Sequence, residues 1–177
     1  EPVNVMRRAP GLAAGSREAR GSSLMMGRVE RSSGAGTARH DKIAVMTPAI
    51  LLVRKSGVPH EVLEYPQDPS VASYGQEAAD VLGVDPSSVF KTLVADVEGV
   101  GLVCAVVPVS AMLDLKALCD VVKGRRAKMA DPAAAERATG YVVGGISPLG
   151  QKRALPVVID ASALSHARVH VSAGRRG

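Results

Sequence analysis

An α+β fold is predicted by three features of the sequence. Runs rich in Val, Leu and Ile, bounded by turn residues, read as short strands, with Val89 to Val97 and Leu102 to Val109 the clearest. Helical stretches opened by Thr47-Pro48, Asp114 and Asp131-Pro132 are interspersed with them. No regular strand–helix–strand period and no solenoid-length repeat runs along the chain, which argues against a doubly wound sheet or a repeat array.

The elements follow in order. Residues 1–45 are rich in Gly, Ser, Ala and Arg and hold no sustained periodicity. They read as a disordered basic leader, or as upstream sequence brought in by a misplaced start, since the first residue is Glu1. The folded domain is expected over 46–177. Thr47 caps a helix, Pro48 fits its first turn, Ile50, Leu51 and Val53 supply its apolar side, and Gly57 ends it. His60 to Tyr65 alternates like a strand, Tyr74 to Leu82 reads as a helix stopped by Gly83, and Asp85-Pro86-Ser87 as a turn. Val89–Val97 and Leu102–Val109, joined around Glu98-Gly99, form an antiparallel hairpin. The second of these strands is apolar throughout, so both its faces should be covered. Asp114 to Val122 and Asp131 to about Thr139 are helices. Tyr141 to Val143 leads into a Gly-rich loop, and Val157 to Asp160 and Arg168 to Ser172 are further strands.

Composition narrows the function. The chain carries a formal charge of +5, but 8 Lys/Arg and 4 Asp/Glu lie in residues 1–45, against 14 and 13 in residues 46–177. The body is therefore almost neutral, and RNA binding would rest on local clusters and help from a partner. With no Trp and one Phe, stacking on single-stranded bases is not expected. The longest uncharged run, Gly99 to Leu113, contains Pro108 and is too short to span a membrane. Charges interrupt any apolar segment near the N-terminus, so no secretory signal is read. Cys104 and Cys119 sit in apolar or helical surroundings and read as core thiols of a reduced, cytoplasmic protein.

Metal binding is not supported: His166 and His170 are four apart in a strand-like stretch, which separates them by roughly 13 Å. No Gly-x-Ser-x-Gly elbow, phosphate-binding loop or dinucleotide fingerprint is present. Three places remain. Lys91 is a lone cation in an apolar strand, on the opposite side from Phe90, Thr92 and Val94. It is either a snorkelling lysine or a cavity cation that holds a phosphate or a polarised ester. Gly144-Gly145-Ile146-Ser147-Pro148-Leu149-Gly150 is either an ordinary long turn or a loop that brings backbone N–H groups up to a ligand. The basic clusters Lys123 to Lys128, Lys152-Arg153 and Arg175-Arg176 are either solvated surface or a track for a tRNA acceptor stem.

Taken together, Met46-Thr47-Pro48-Ala49, Val89-Phe90-Lys91-Thr92-Leu93, Leu113-Asp114-Leu115-Lys116, Met129-Ala130-Asp131-Pro132, the long block Thr139 to Lys152, and Val171 to Gly177 resemble the YbaK/EbsC family of cysteinyl-tRNA(Pro) deacylases. That family is related to the editing domain inserted in bacterial prolyl-tRNA synthetases. The resemblance covers essentially everything after residue 45, and the block from Tyr141 to Lys152 is its most specific part. It implies a barrel-like, mostly antiparallel sheet with surrounding helices, and a pocket for the 3′ end of aminoacyl-tRNA. By motif match Lys91 is the essential lysine. Gly144, Gly145, Ile146, Ser147 and Pro148 form the loop against the aminoacyl end, Tyr65 is a pocket tyrosine, and Ser172 and Gly174 belong to a small-residue stretch beside the site.

The implied function is trans-editing hydrolysis of mischarged tRNA, with Cys-tRNA(Pro) the first substrate expected. It needs no protein nucleophile, metal or organic cofactor, because the substrate's own thiol or the terminal ribose hydroxyl takes part. Alanyl-tRNA(Pro) hydrolysis and a non-catalytic tRNA- or synthetase-binding module are the other readings. The implied partners are mischarged tRNA(Pro) and prolyl-tRNA synthetase. In the family, the Gly-Arg-Arg-Gly turn leads to a strand with a functional acidic residue and a terminal helix. This sequence stops at Gly177 and so reads as truncated there.

Overall fold

The computed structural model describes residues 46–67 and 74–177; the reading of residues 1–45 as a leader lies outside them. The order is α1 (Pro48–Ser56), α2 (Tyr74–Leu82), β1 (Val89–Val97), β2 (Gly101–Pro108), α3 (Leu115–Val122), β3 (Ala127–Met129), α4 (Pro132–Thr139), β4 (Val157–Ile159) and β5 (His170–Val171), with short 3-10 turns at Pro86–Ser88 and Ala161–Ser165.

Local chemistry sets most of these limits. Thr47 caps α1 by accepting a hydrogen bond from the Ile50 N–H at 3.2 Å. Gly57 closes α1 in the left-handed conformation that glycine adopts without strain. Asp114 caps α3 by accepting from both the Lys116 and Ala117 N–H groups at 2.8 and 2.9 Å. Asp131 caps α4 through the Ala134 N–H. Only Ala49 and Ile50 of α1 are buried. Leu51, expected on the core side, is exposed, because the helix rests on the sheet by its first turn alone.

The sheet is built on the β1–β2 hairpin, whose register runs from Phe90 opposite Pro108 to Val97 opposite Gly101. Strand alternation gives it two faces. Phe90, Val94, Cys104 and Val106 lie on the first, where α1, α4, Tyr141 and Ile146 supply the packing. Ala95, Val97, Val103 and Ala105 lie on the second, against Leu118 and Cys119 of α3. Strand β2 is buried from Val103 to Pro108, as its unbroken apolar run requires.

Three expectations need correction. The sheet order is β3-β1-β2-β4, with β5 also on β1, and among the described residues the sheet does not close into a barrel. Both β3 and β5 pair with the same edge of β1, so neither bridges to β4 at the far side, and closure requires such a link. Most of the paired residues are antiparallel, in β1–β2 and β1–β3, whereas the shorter β1–β5 and β2–β4 pairings are parallel. The segment from His60 to Tyr65 is not a strand. Its side chains up to Glu64 are exposed, so its alternation buries no face. The strand expected over Arg168 to Ser172 contracts to His170–Val171. His166 instead follows a 3-10 turn and meets Phe90 edge-on, with ring centroids 6.4 Å apart.

Candidate active site

Strand β1 carries Lys91, and its outer edge is shared by two short strands. The parallel β5 pairs at Val89 and Phe90, and β3 pairs from Ala95 onward. Lys91 and Ser172 each follow the last paired residues, Phe90 and Val171, so the lysine strand and the Ser172–Gly177 segment run out together.

That segment is bound to the Gly-rich loop. Ser172 Oγ donates to the Gly145 carbonyl at 2.9 Å and accepts from the Gly174 N–H at 3.1 Å. Gly145 is buried, and a Cβ there would stand 2.9 Å from the Arg175 carbonyl carbon, so only glycine fits without displacing backbone. Thr47 Oγ1 donates to the Ala173 carbonyl, tying the start of α1 to the same segment. The Tyr141 hydroxyl donates to Leu149 O at 2.7 Å, and its ring lies against Gly174. Burial raises the Tyr141 pKa, and a hydrogen bond with the Ala49 backbone lowers it again in part. Within the loop, Ile146 and Ser147 are buried and Pro148 is half-buried. The Leu149 N–H is held by Ser147 Oγ at 3.2 Å. Among the described residues, the N–H groups of Gly144, Ile146 and Ser147 find no protein acceptor. Ile146 and Ser147 are buried, where backbone donors are ordinarily paired, so their N–H groups point to something that binds, whereas the exposed Gly144 N–H faces solvent beside them.

Lys91 is half-buried, and its ammonium reaches the Val109 carbonyl at 3.4 Å. Desolvation holds its pKa below the ordinary lysine value. By register it shares the second face with Ala95, whereas Ile146 packs on the first, so backbone proximity at the β5 exit, rather than a side-chain contact, relates lysine to loop. Tyr65 lies by Gly177 and beside Glu77 of α2. Burial, then the Glu77 carboxylate, raises its pKa, and a hydrogen bond with the Gly177 backbone acts the other way. The Cys104 thiol is pushed up to about 11 by burial, which makes it a poor nucleophile.

Of the sequence-predicted residues, Gly144 through Pro148, Ser172 and Gly174 thus form one hydrogen-bonded unit. Lys91 stands at its strand margin and Tyr65 at its far end. Thr47, Glu136 and Tyr141 were missed as supports; Glu136 Oε1 accepts from the Val143 N–H at 2.9 Å. For Thr47 and Tyr141 the signal was position inside matched blocks; for Glu136 nothing in sequence marks it. The basic clusters differ among themselves. Arg125 pairs with the exposed Glu98 at 3.0 Å, and Arg176 is tied to the loop. A cavity of about 220 Å³ lined by Leu102, Ala134, Arg137, Ala138 and Arg153 shares no residue with this site.

Fold and site define an open-sheet α+β domain with a hydrogen-bonded Gly-rich loop and a partly desolvated lysine on strand β1. A family profile described as an aminoacyl-tRNA editing domain matches residues 68–177. A protein of Enterococcus faecalis bearing the name Cys-tRNA(Pro)/Cys-tRNA(Cys) deacylase EbsC is 34% identical over 131 residues, covering 74% of this chain and 79% of the relative. A solved structure described as a trans-editing enzyme for prolyl tRNA synthetase is similar with a TM-score of 0.63 and 26% identity, covering 73% of this chain and 80% of the other. The structure of a hypothetical protein is similar with a TM-score of 0.64 and 25% identity, over 73% and 84% of the two chains. The chain belongs to the aminoacyl-tRNA editing domain family, and its activity is that of an aminoacyl-tRNA deacylase. Among the described residues, no helix is long and apolar enough to cross a membrane.

Proposed function

We propose that this chain acts in trans on mischarged tRNA(Pro), with cysteinyl-tRNA(Pro) as its substrate. The observation that carries the reading is the loop from Val143 to Ser147, where the N–H groups of Gly144, Ile146 and Ser147 lack protein acceptors while the Val143 and Gly145 carbonyls are held by Arg176 and Ser172. An aminoacyl ester is already activated. Fixed N–H donors that stabilise the oxyanion, together with correct placement, supply the main catalytic need. Lys91 steadies the ester oxygen or a neighbouring phosphate of the 3′-terminal nucleotide. Its partial desolvation strengthens that attraction. The substrate's thiol or the terminal ribose hydroxyl assists ester cleavage, so no protein nucleophile is used. Tyr65, Ile146, Pro148 and Gly174 shape the surroundings of the aminoacyl group. The name of the Enterococcus relative, a Cys-tRNA(Pro)/Cys-tRNA(Cys) deacylase, supports the choice of cysteine.

The test is hydrolysis of tRNA(Pro) charged with Cys, Ala or Pro by the purified chain. Cys-tRNA(Pro) is expected to be cleaved fastest and Pro-tRNA(Pro) to be spared. Faster cleavage of the alanyl ester would move the assignment to alanyl-tRNA(Pro).

A further inference from the structure

The turn that opens the loop has a defined form. The Gly145 N–H donates to the Val142 carbonyl at 2.9 Å, and Gly144, third of the four residues, has φ of 87°. Val143, second in the turn, does not have a positive φ. This combination is a type II turn. A type I turn has the same ends and differs by a flip of the central peptide, here the Val143 carbonyl and the Gly144 N–H. Whatever holds the Val143 oxygen therefore decides which way the Gly144 N–H faces.

Arg176 holds it. Its Nε donates to the Val143 carbonyl at 3.0 Å, and its Nη2 donates to the same oxygen. Two N–H groups of one planar, permanently charged fork fix the direction of that carbonyl, which a flexible ammonium holds less well. Arg176 was grouped by sequence with cations that track RNA. Its geometry gives it a different task.

We propose that Arg176 is a positioning residue: by holding the Val143 carbonyl it selects the type II form of the Val142–Gly145 turn and so aims the Gly144 N–H at the bound ester. This rests on the reading of the loop N–H groups as donors to the substrate. It goes beyond that reading by naming what sets their direction.

The test uses the full chain with Arg176→Ala, Arg176→Lys and Gly144→Ala, in single-turnover deacylation of Cys-tRNA(Pro) with enzyme in excess. Amide NMR signals of Gly144 to Ser147 are recorded in parallel. Arg176→Ala is expected to lower the saturating rate constant about 10-fold with little change in the half-saturating enzyme concentration, because misplacement of a group slows the step it serves. Arg176→Lys should recover part of the rate. Gly144→Ala, which disfavours the same turn, should not add its effect to that of Arg176→Ala. The Gly144 to Ser147 amide signals should shift in Arg176→Ala. An unchanged saturating rate with a raised, salt-dependent half-saturating concentration overturns the proposal and makes Arg176 an RNA contact. Amide signals that superimpose on those of the parent also overturn it. If the parent cleaves no aminoacyl ester, the functional reading fails, and the amide signals alone decide whether Arg176 sets the turn.

Discussion

A half-buried lysine in a neutral body is the residue on which the proposed chemistry leans most. Lys91 adds little to the core, since its ammonium meets only a long contact with Val109 O. Lys91→Ala is expected to keep its melting temperature while Cys-tRNA(Pro) hydrolysis falls about 10²-fold, the scale of losing one oxyanion donor. Lys91→Arg should not restore the rate fully, because the guanidinium donates in a different geometry. A folded Ala variant with the parent rate would reduce Lys91 to a surface cation. Its pH dependence has a definite sign. Desolvation places the folded pKa below the ordinary value, and the cation is lost as pH rises through it. The lysine-dependent part of the rate should therefore decline at a pH below that of an exposed lysine, a limb absent from Lys91→Ala. The buried Cys104 thiol, at about 11, should resist alkylation at pH 8 until the chain unfolds, which timed mass spectrometry can follow.

The elements depend on caps and on close backbone approach. Asp114 satisfies two N–H groups at the start of α3, the helix that covers the second face. Asp114→Ala is expected to lower stability by about 1 kcal/mol in a denaturant titration. Two glycines separate conformational strain from packing. Gly57 has a positive φ and open space around it, so Gly57→Ala should cost only about 1 kcal/mol, the left-handed penalty. Gly150 has a positive φ as well, but a Cβ there would lie 2.6 Å from the Pro48 carbonyl. Gly150→Ala is expected to add a further ~1–3 kcal/mol, because the loop and α1 must move apart. Equal unfolding midpoints for the two variants would show that the loop tolerates separation from α1.

At the scale of the whole molecule, α1 is tied to the candidate site. Thr47 both caps α1 and bonds to Ala173 beside the candidate site. A chain starting at Met46 is therefore expected to retain its melting temperature and its deacylation rate, whereas one starting at Ala49 should lose both in part. Loss of folding or activity in the chain starting at Met46 would assign residues 1–45 a working role. The clusters of Lys and Arg around the body are exposed, so tRNA affinity should fall as salt rises, with a slope set by the number of phosphates they contact.

What the sequence determined by itself was local. The capping residues Thr47, Asp114 and Asp131, the glycine stops and the turn around Glu98-Gly99 marked helix and strand limits, because each acts on backbone within a few residues of itself. The lysine strand and the Gly144 loop were legible for the same reason. Tertiary structure alone decided the rest. It made the β1–β5 and β2–β4 pairs parallel and left the sheet open, since two strands as short as Val157–Ile159 and His170–Val171 carry too little pattern to name a partner. It left His60 to Glu64 in solvent despite their alternation, because alternation buries nothing without a neighbouring strand. It also set the exposed Arg176 on the Val143 carbonyl, 33 residues away in the chain, a contact that exists only once the loop and the segment after β5 have met.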